Sequence, residues 1–188
     1  MRMRNRHCRY RRLALIWLCL SVLVFSGLAK AQQQEWLSWK KVGQATLSWG
    51  FWTIYDSTLY VKGEQFKVYP ELDLKQTLAL EITYRRDIDS EDLVEETISQ
   101  WVHLGLSEQQ SQKWAKTLSG MWPDILEDDQ LIYKTDGQRG TFFHRRGHTV
   151  VRIGELTEEA MSDAFISIWL SPKTAYPELR NKLIGVKS

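Results

Sequence analysis

Beyond residue 34 the chain alternates apolar and polar positions before it changes to a helical period. Residues 42–49 and 51–61 read as two strands joined at Trp49-Gly50, rich in Thr, Tyr, Trp and β-branched side chains. Residues 66–69 make a short third strand stopped by Pro70. Residues 77–84 carry the clearest alternation, with Leu78, Leu80, Ile82 and Tyr84 on one side and Thr77, Ala79, Glu81 and Thr83 on the other. The strand over 51–61 is mixed: Phe51, Tyr55 and Leu59 alternate with Trp52, Ile54 and Tyr60. That places it centrally in a sheet, with something covering each face.

The period then becomes helical. Asp89 or Ser90 opens a first helix, with Glu91 and Asp92 in the turn where the helix dipole favours negative charge. Its apolar stripe is Val94, Ile98, Trp101 and Val102, and Gly105 ends it. Ser107 and Gln110 have the spacing of a capping box for a second helix, with Trp114, Leu118, Met121 and Trp122 inward and Pro123 as the stop. Strands follow over 130–135, 140–144 and 149–153, turned at Asp136-Gly137 and Arg146-Gly147. Thr157 caps a third helix with the stripe Ala160, Met161, Ala164, Phe165, Ile168 and Trp169. Pro177 begins a fourth, short helix reaching Ile184. Strands in groups and helices in groups predict an α+β fold, an open-faced antiparallel sheet covered by a helical layer.

The first 31 residues have a different character. Arg2, Arg4, Arg6, Arg9, Arg11 and Arg12 precede an apolar run from residue 13 to 28, and Ala29-Lys30-Ala31 follows. This is the three-part pattern of a secretory signal peptide, predicting a mature chain of residues 32–188 and a periplasmic or secreted location; the alternative is a retained anchor. The segment also distorts the composition. It holds seven of the 25 basic residues and none of the 23 acidic ones, so the remainder has 18 basic against 23 acidic, a net of −5. A nucleic-acid reading built on the whole-chain charge therefore fails. Both cysteines, Cys8 and Cys19, lie in the same segment. Residues 32–188 thus have no disulfide, zinc-thiolate site or cysteine nucleophile. No later stretch is long and apolar enough to span a membrane.

The chemistry-bearing residues are sparse. His144 and His148 straddle Arg145-Arg146-Gly147 in a hairpin turn, where two arginines oppose a cation, so no metal or cofactor is expected. Glu127, Asp128 and Asp129 lack the spacing of a calcium loop and read as a solvated turn. Gly-rich phosphate loops and a nucleophile elbow are absent. Arg85-Arg86 reads as a charged strand end, with an anionic head group as the alternative. The aromatic set Trp36, Trp39, Trp49, Trp52, Tyr55 and Tyr60 either lines an apolar pocket or fills the core.

Five segments taken in order resemble the bacterial chalcone-isomerase-like family. They are Val42-Gly-Gln-Ala-Thr-Leu47, Phe51-Trp-Thr-Ile-Tyr-Asp-Ser-Thr-Leu-Tyr60, Leu80-Glu-Ile-Thr-Tyr-Arg-Arg-Asp-Ile88, Ile168-Trp-Leu-Ser-Pro172 and Tyr176-Pro-Glu-Leu-Arg180. The resemblance covers about residues 36–184 and implies the same open-faced sandwich. In the wider superfamily plant members cyclise chalcones and others bind fatty acids in the same cleft. It also implies a poor inheritance of catalysis. The plant arginine falls at Gly43-Gln44, their threonine near Tyr55, their helix-start tyrosine at Asp89 and their asparagine at Glu96. Only a hydroxyl near Ser167 is kept in kind. No arginine occurs between Gln32 and Tyr84 to stabilise a developing anion or anchor a carboxylate.

The reading is a non-catalytic binder of an apolar or amphipathic small molecule such as a fatty acid, contacted by Trp52, Tyr55, Ser57 and Ser167. One alternative is a divergent isomerase or intramolecular lyase using Tyr55, Asp89 and Ser167. Another is a partner-binding scaffold with a filled cleft.

Overall fold

The two-residue alternation builds an antiparallel sheet of six strands in strictly sequential order: β1 (Lys40–Trp49), β2 (Trp52–Val61), β3 (Leu78–Tyr84), β4 (Gln130–Thr135), β5 (Gly140–Arg146) and β6 (Thr149–Leu156). The computed structural model describes residues 34–63, 66 and 75–186. The leader expected over residues 1–31 and positions 67–69 of the strand expected over 66–69 lie outside the described residues; Phe66 packs against the core outside any strand. The helical stretches give α1 (Ser90–His103) and α2 (Glu108–Ser119) between β3 and β4. After β6 come α3 (Glu159–Leu170) and α4 (Pro177–Leu183). The expected α+β class and open-faced architecture are what the chain forms.

Element ends depart from the sequence expectation where distant groups intervene. Asp89 occupies the N-cap of α1, but its side chain makes no capping bond. The Ser90 N–H instead donates to Asp124 Oδ1 at 2.9 Å, a cap supplied from the loop before β4. Ser107 caps α2 as expected, accepting from the Gln110 N–H at 3.2 Å. Thr157 does not cap α3. Glu158 takes that position, and its carboxylate accepts instead from Trp114 Nε1 on α2. β6 runs past residue 153 because Gly154 leaves room for Met121: a Cβ there would lie 2.6 Å from Met121 Sδ.

The two sheet faces are unequal. The helix-facing side carries Leu59, Leu78, Leu80, Tyr133 and Phe142, packed with Trp101, Leu118, Phe165 and Leu170 from the helices. Burial of each such side chain contributes roughly 1.5–3 kcal/mol. The opposite side carries a small cluster of Ala79, Ile132 and Phe143 covered by Trp36, which comes from the 3-10 turn Glu35–Ser38 preceding β1. Trp36 is fully buried, its ring 5.2 Å from that of Phe143. Around this patch the face is polar, with Arg145 donating to Gln130 and Gln130 to Thr83.

Three irregularities favour the helix-facing side. The pairing skips Val42 in β1, Ile54 in β2 and Ile153 in β6, and all three side chains pack against the larger core. A bulge leaves one residue unpaired and re-aims its side chain. Bulging at Ile54 thus lets consecutive Ile54 and Tyr55 serve the same side. Gly43, next to the first bulge, lies against α4: a Cβ there would sit 2.2 Å from the Lys182 carbonyl oxygen and 2.5 Å from that of Leu183.

Candidate functional site

Beside the bulge at Ile54 in β2, the sheet and the helices do not close on each other. A cleft of about 630 Å³ opens there, within the size range of small-molecule sites. Its floor is Leu47, Ile54, Tyr55, Tyr84 and Leu131 of the sheet. Its roof is Leu93, Thr97 and Gln100 of α1 with Phe165, Ile168 and Trp169 of α3, and Trp122 closes one part. Ser48, Trp49, Arg86, Asp87, Ile88, Asp92, Glu96 and Tyr176 complete the lining among the described residues. Arg86, Asp87, Asp92 and Glu96 are exposed and form its charged rim.

The interior is aromatic and uncharged. Trp169 Nε1 donates to the Tyr55 oxygen at 2.9 Å. Burial raises the Tyr55 pKa, outweighing the Trp169 bond, which lowers it; burial raises that of Tyr84 as well. Both phenols stay neutral at physiological pH, so Tyr55 is a hydrogen-bonding group and a poor base. At the rim, burial and then the neighbouring Glu96 raise the Tyr176 pKa. Gln100 Nε2 donates to Glu96 Oε1 at 2.7 Å, which fixes the orientation of that buried amide.

No family model matches the chain. An uncharacterized protein of Haemophilus influenzae is 25% identical over 147 residues, covering 78% of this chain and 68% of the relative. A crystal structure of a fatty-acid binding protein from Arabidopsis thaliana is similar in three dimensions at 9% identity, with a TM-score of 0.56 over 79% of this chain and 87% of that one. The fold is chalcone-isomerase-like.

Of the expected ligand-binding and catalytic residues Trp52, Tyr55, Ser57, Asp89 and Ser167, Tyr55 alone lines the cleft, while Trp49 of the aromatic set and Arg86 of the charged strand end also reach it. Trp52 sits at the β1–β2 hairpin tip, 73% exposed, with Phe51 and Trp49 also exposed beside it. Trp52 forms the last pair of the β1–β2 ladder, with Trp49, and its exposure follows from that place at the turn, whereas the bulge turns Ile54 and Tyr55 inward together. Ser57 is buried, but its hydroxyl donates to the Ala45 carbonyl on β1 at 3.0 Å. Ser167 is half-buried on α3 outside the lining, one residue from Ile168, which faces the cleft. Asp89 is exposed at the start of α1, also outside the lining. Tyr55, Asp89 and Ser167 are therefore not brought together around one point.

The aromatic set divides three ways. Trp36, Trp39 and Tyr60 serve the opposite sheet face, Trp49 and Tyr55 reach the cleft, and Trp52 is in solvent. The histidine pair has a structural role on one side only: His144 Nε2 lies 2.9 Å from Asp129 Oδ2, while His148 is exposed in the turn. Asp129 is buried rather than part of a solvated turn. It also receives Arg146 Nη2 at 2.6 Å and the Leu126 N–H at 3.0 Å. Burial raises its pKa, but Arg146, the Leu126 N–H and His144 together outweigh this and hold it down at about 2. Arg85 pairs with Asp56 and Asp128, which makes it a tied strand end. Among the described residues no group of His, Cys, Asp and Glu is arranged to hold a metal ion, and no helix is long and apolar enough to cross a membrane.

Sequence reasoning missed Gln100, Trp122 and Trp169 as cleft residues. The signal for Gln100 was a second stripe on α1, Leu93, Thr97, Gln100 and Leu104, beside the apolar one. The inward stripe of the second helix does include Trp122 and that of the third Trp169; the structure places Trp122 just beyond the end of α2, in the cleft lining.

Proposed function

We propose that the protein is an exported, non-catalytic binder of an apolar or amphipathic small molecule, fatty-acid-like in shape, held between sheet and helices. The observation that carries this reading is the cleft: about 630 Å³, walled by Leu47, Ile54, Tyr84, Phe165, Ile168 and Trp169, with charge confined to its rim. Apolar area removed from water contributes roughly 25 cal/mol per Å², so a long acyl chain gains affinity here without a buried ion pair. The name of the Arabidopsis neighbour supports the same class of ligand. Titration of Trp emission with acyl ligands of increasing length tests it: affinity rises with length and falls when Tyr55 is replaced by Asp. A flat response at every length overturns the reading and leaves a partner-binding scaffold.

The non-catalytic part rests on the dispersal of Tyr55, Asp89 and Ser167 and on Gly43, where α4 leaves no room for a side chain. Chalcone cyclisation should not exceed the solution background. A measured enzymatic rate that disappears in Tyr55→Phe would reinstate a divergent isomerase. Export rests on the arginine-rich start and apolar run before Ala29-Lys30-Ala31. Intact mass of periplasmic material should place the mature N-terminus at Gln32, and a full-length species in the membrane fraction would refute cleavage.

A further inference from the structure

The β1–β2 hairpin ends in an uncharged aromatic tip. Residues 42–55 contain no Asp, Glu, Lys, Arg or His, in a chain where 26% of residues are charged. At the tip Trp49 is 83% exposed, Phe51 104% and Trp52 73%. Gly50, with φ of 59°, lets the chain reverse between the paired Trp49 and Trp52. The hairpin also outruns the sheet. β3 pairs with β2 only as far as Tyr55 with Tyr84, and the Arg85 N–H then donates to the Ile54 carbonyl. β1 and β2 pair on to Trp49 and Trp52. At about 3.3 Å per residue, the tip projects roughly 10 Å past β3. The first charge behind it is Asp56, whose carboxylate is held by Thr46 and Arg85.

Single exposed aromatics are ordinary, but three together on a projecting turn mark a contact surface. The area argues against a protein partner. Full burial of three aromatic side chains covers about 450–750 Å², short of the roughly 800 Å² per partner of a stable interface. The neighbours that would enlarge the contact, Arg86, Asp87 and Asp92, are charged and exposed at the cleft rim. A lipid surface needs no matching face. Trp favours the membrane–water boundary, where its ring is apolar and its N–H stays wet. A tip of roughly 10 Å fits the ~5–10 Å to which interfacial amphipathic helices sink. Without charges, it enters at no cost of desolvating an ion.

We propose that the tip formed by Trp49, Phe51 and Trp52 docks the protein on the surface of a phospholipid bilayer. Ser48 and Trp49 belong both to the end of the hairpin and to the cleft lining, so the docking patch continues into the cleft. On the reading of that cleft as a site for an amphipathic small molecule, docking brings it against the phase in which such a molecule dissolves. The rim carries Asp87, Asp92 and Glu96 against Arg86, an excess of negative charge that favours a zwitterionic over an anionic surface.

Trp36–Ser188 is one compact unit, and the test uses the expected mature chain, residues 32–188, which lacks the apolar run over 13–28 and has no cysteine. Phe51→Cys and Gln138→Cys each carry an environment-sensitive fluorophore and are mixed with phosphatidylcholine vesicles. Gln138 is exposed in the β4–β5 turn, at the opposite end of the strands. Emission from position 51 should move to shorter wavelength, and that from position 138 should not. In co-sedimentation of the unlabelled chain, Phe51→Ser combined with Trp52→Ser should lower the partition coefficient at least about 10-fold. Salt at about 0.5 M should leave wild-type binding in place, because no ion pair contributes, and added phosphatidylglycerol should not strengthen it. Phe51 and Trp52 are exposed and lie outside the cleft lining, so the double variant keeps its unfolding midpoint and its acyl affinity measured without vesicles. Absence of the wild type from the vesicle pellet, equal sedimentation of the double variant, or a shift at both labels overturns the proposal. A lipid-free dimer that the double variant dissociates assigns the tip to a second copy and overturns it too. Acyl binding without docking leaves the carrier standing alone; docking with a flat acyl titration removes the carrier and leaves the docking tip.

Discussion

The two faces of the sheet bury aromatic side chains to different ends. On the face away from the helices, Trp36 is fully buried over Ala79, Ile132 and Phe143, and that patch is closed. On the helix-facing side, many more aromatics meet at ring spacings of about 5 Å, such as 4.8 Å for Phe142–Phe165 and 4.6 Å for Tyr133–Phe165, and yet the packing parts beside Tyr55. Aromatic abundance is therefore no measure of how completely a face is filled. On one side Trp36, with Trp39 and Tyr60 packed beside it, closes over Ala79, Ile132 and Phe143. The other side stays open beside the bulge at Ile54.

The sharpest way to break this contrast is Trp36→Ala. Removing a fully buried indole from a closed patch should cost about 3–5 kcal/mol in urea or thermal unfolding, while acyl-ligand affinity of the folded fraction stays as it was. An equal loss of affinity would mean that the two faces are coupled through the sheet.

Asp129→Asn addresses the part of the helix-facing side that closes without a cleft. It removes a charged acceptor shared by Arg146, His144 and the Leu126 N–H, and should cost about 1.5–3 kcal/mol. The acid limb supplies the sign. The folded carboxyl titrates at about 2, below its ordinary value near 3.8. Its contribution is complete above about pH 4 and lost as pH falls through 2. Unfolding midpoints measured across that window should fall more steeply in the wild type than in the variant. Parallel curves would show that the carboxyl is not held low.

Added volume gives the finest comparison. Ala79→Leu on the closed face should cost about 1–3 kcal/mol by overpacking. Leu47→Phe, beside the cleft, should shift stability by less than about 1 kcal/mol and weaken acyl binding, because the larger ring enters space rather than atoms. If both substitutions cost the same, the cleft is closed in solution.

Periodicity served the fold well because strand and helix faces are properties of neighbouring residues. The alternation of Leu78, Leu80, Ile82 and Tyr84, the Ser107 cap and the Asp136-Gly137 turn could all be read locally, and the structure has them. The site was less legible because it depends on register. A bulge at Ile54 brings Ile54 and Tyr55 to the same side, where alternation alone sets them on opposite sides. Distant partners were equally hidden: Asp124 capping α1, Glu158 held by Trp114, and Asp129 buried among Arg146 and His144. The helical period does turn Trp122 inward, but not the end of α2 at Ser119 that sets it in the cleft lining.

Gly43 has a consequence for redesign. The strand position that the chalcone-isomerase resemblance assigns to an arginine is here in backbone contact with the carbonyls of Lys182 and Leu183. A guanidinium at that position would first have to displace the last turn of α4, whose Leu179 and Leu183 are buried in the core. An evolutionary or engineered route to the plant chemistry through this residue is therefore not a single step: the C-terminal helix would have to be rebuilt before the new side chain could be accommodated.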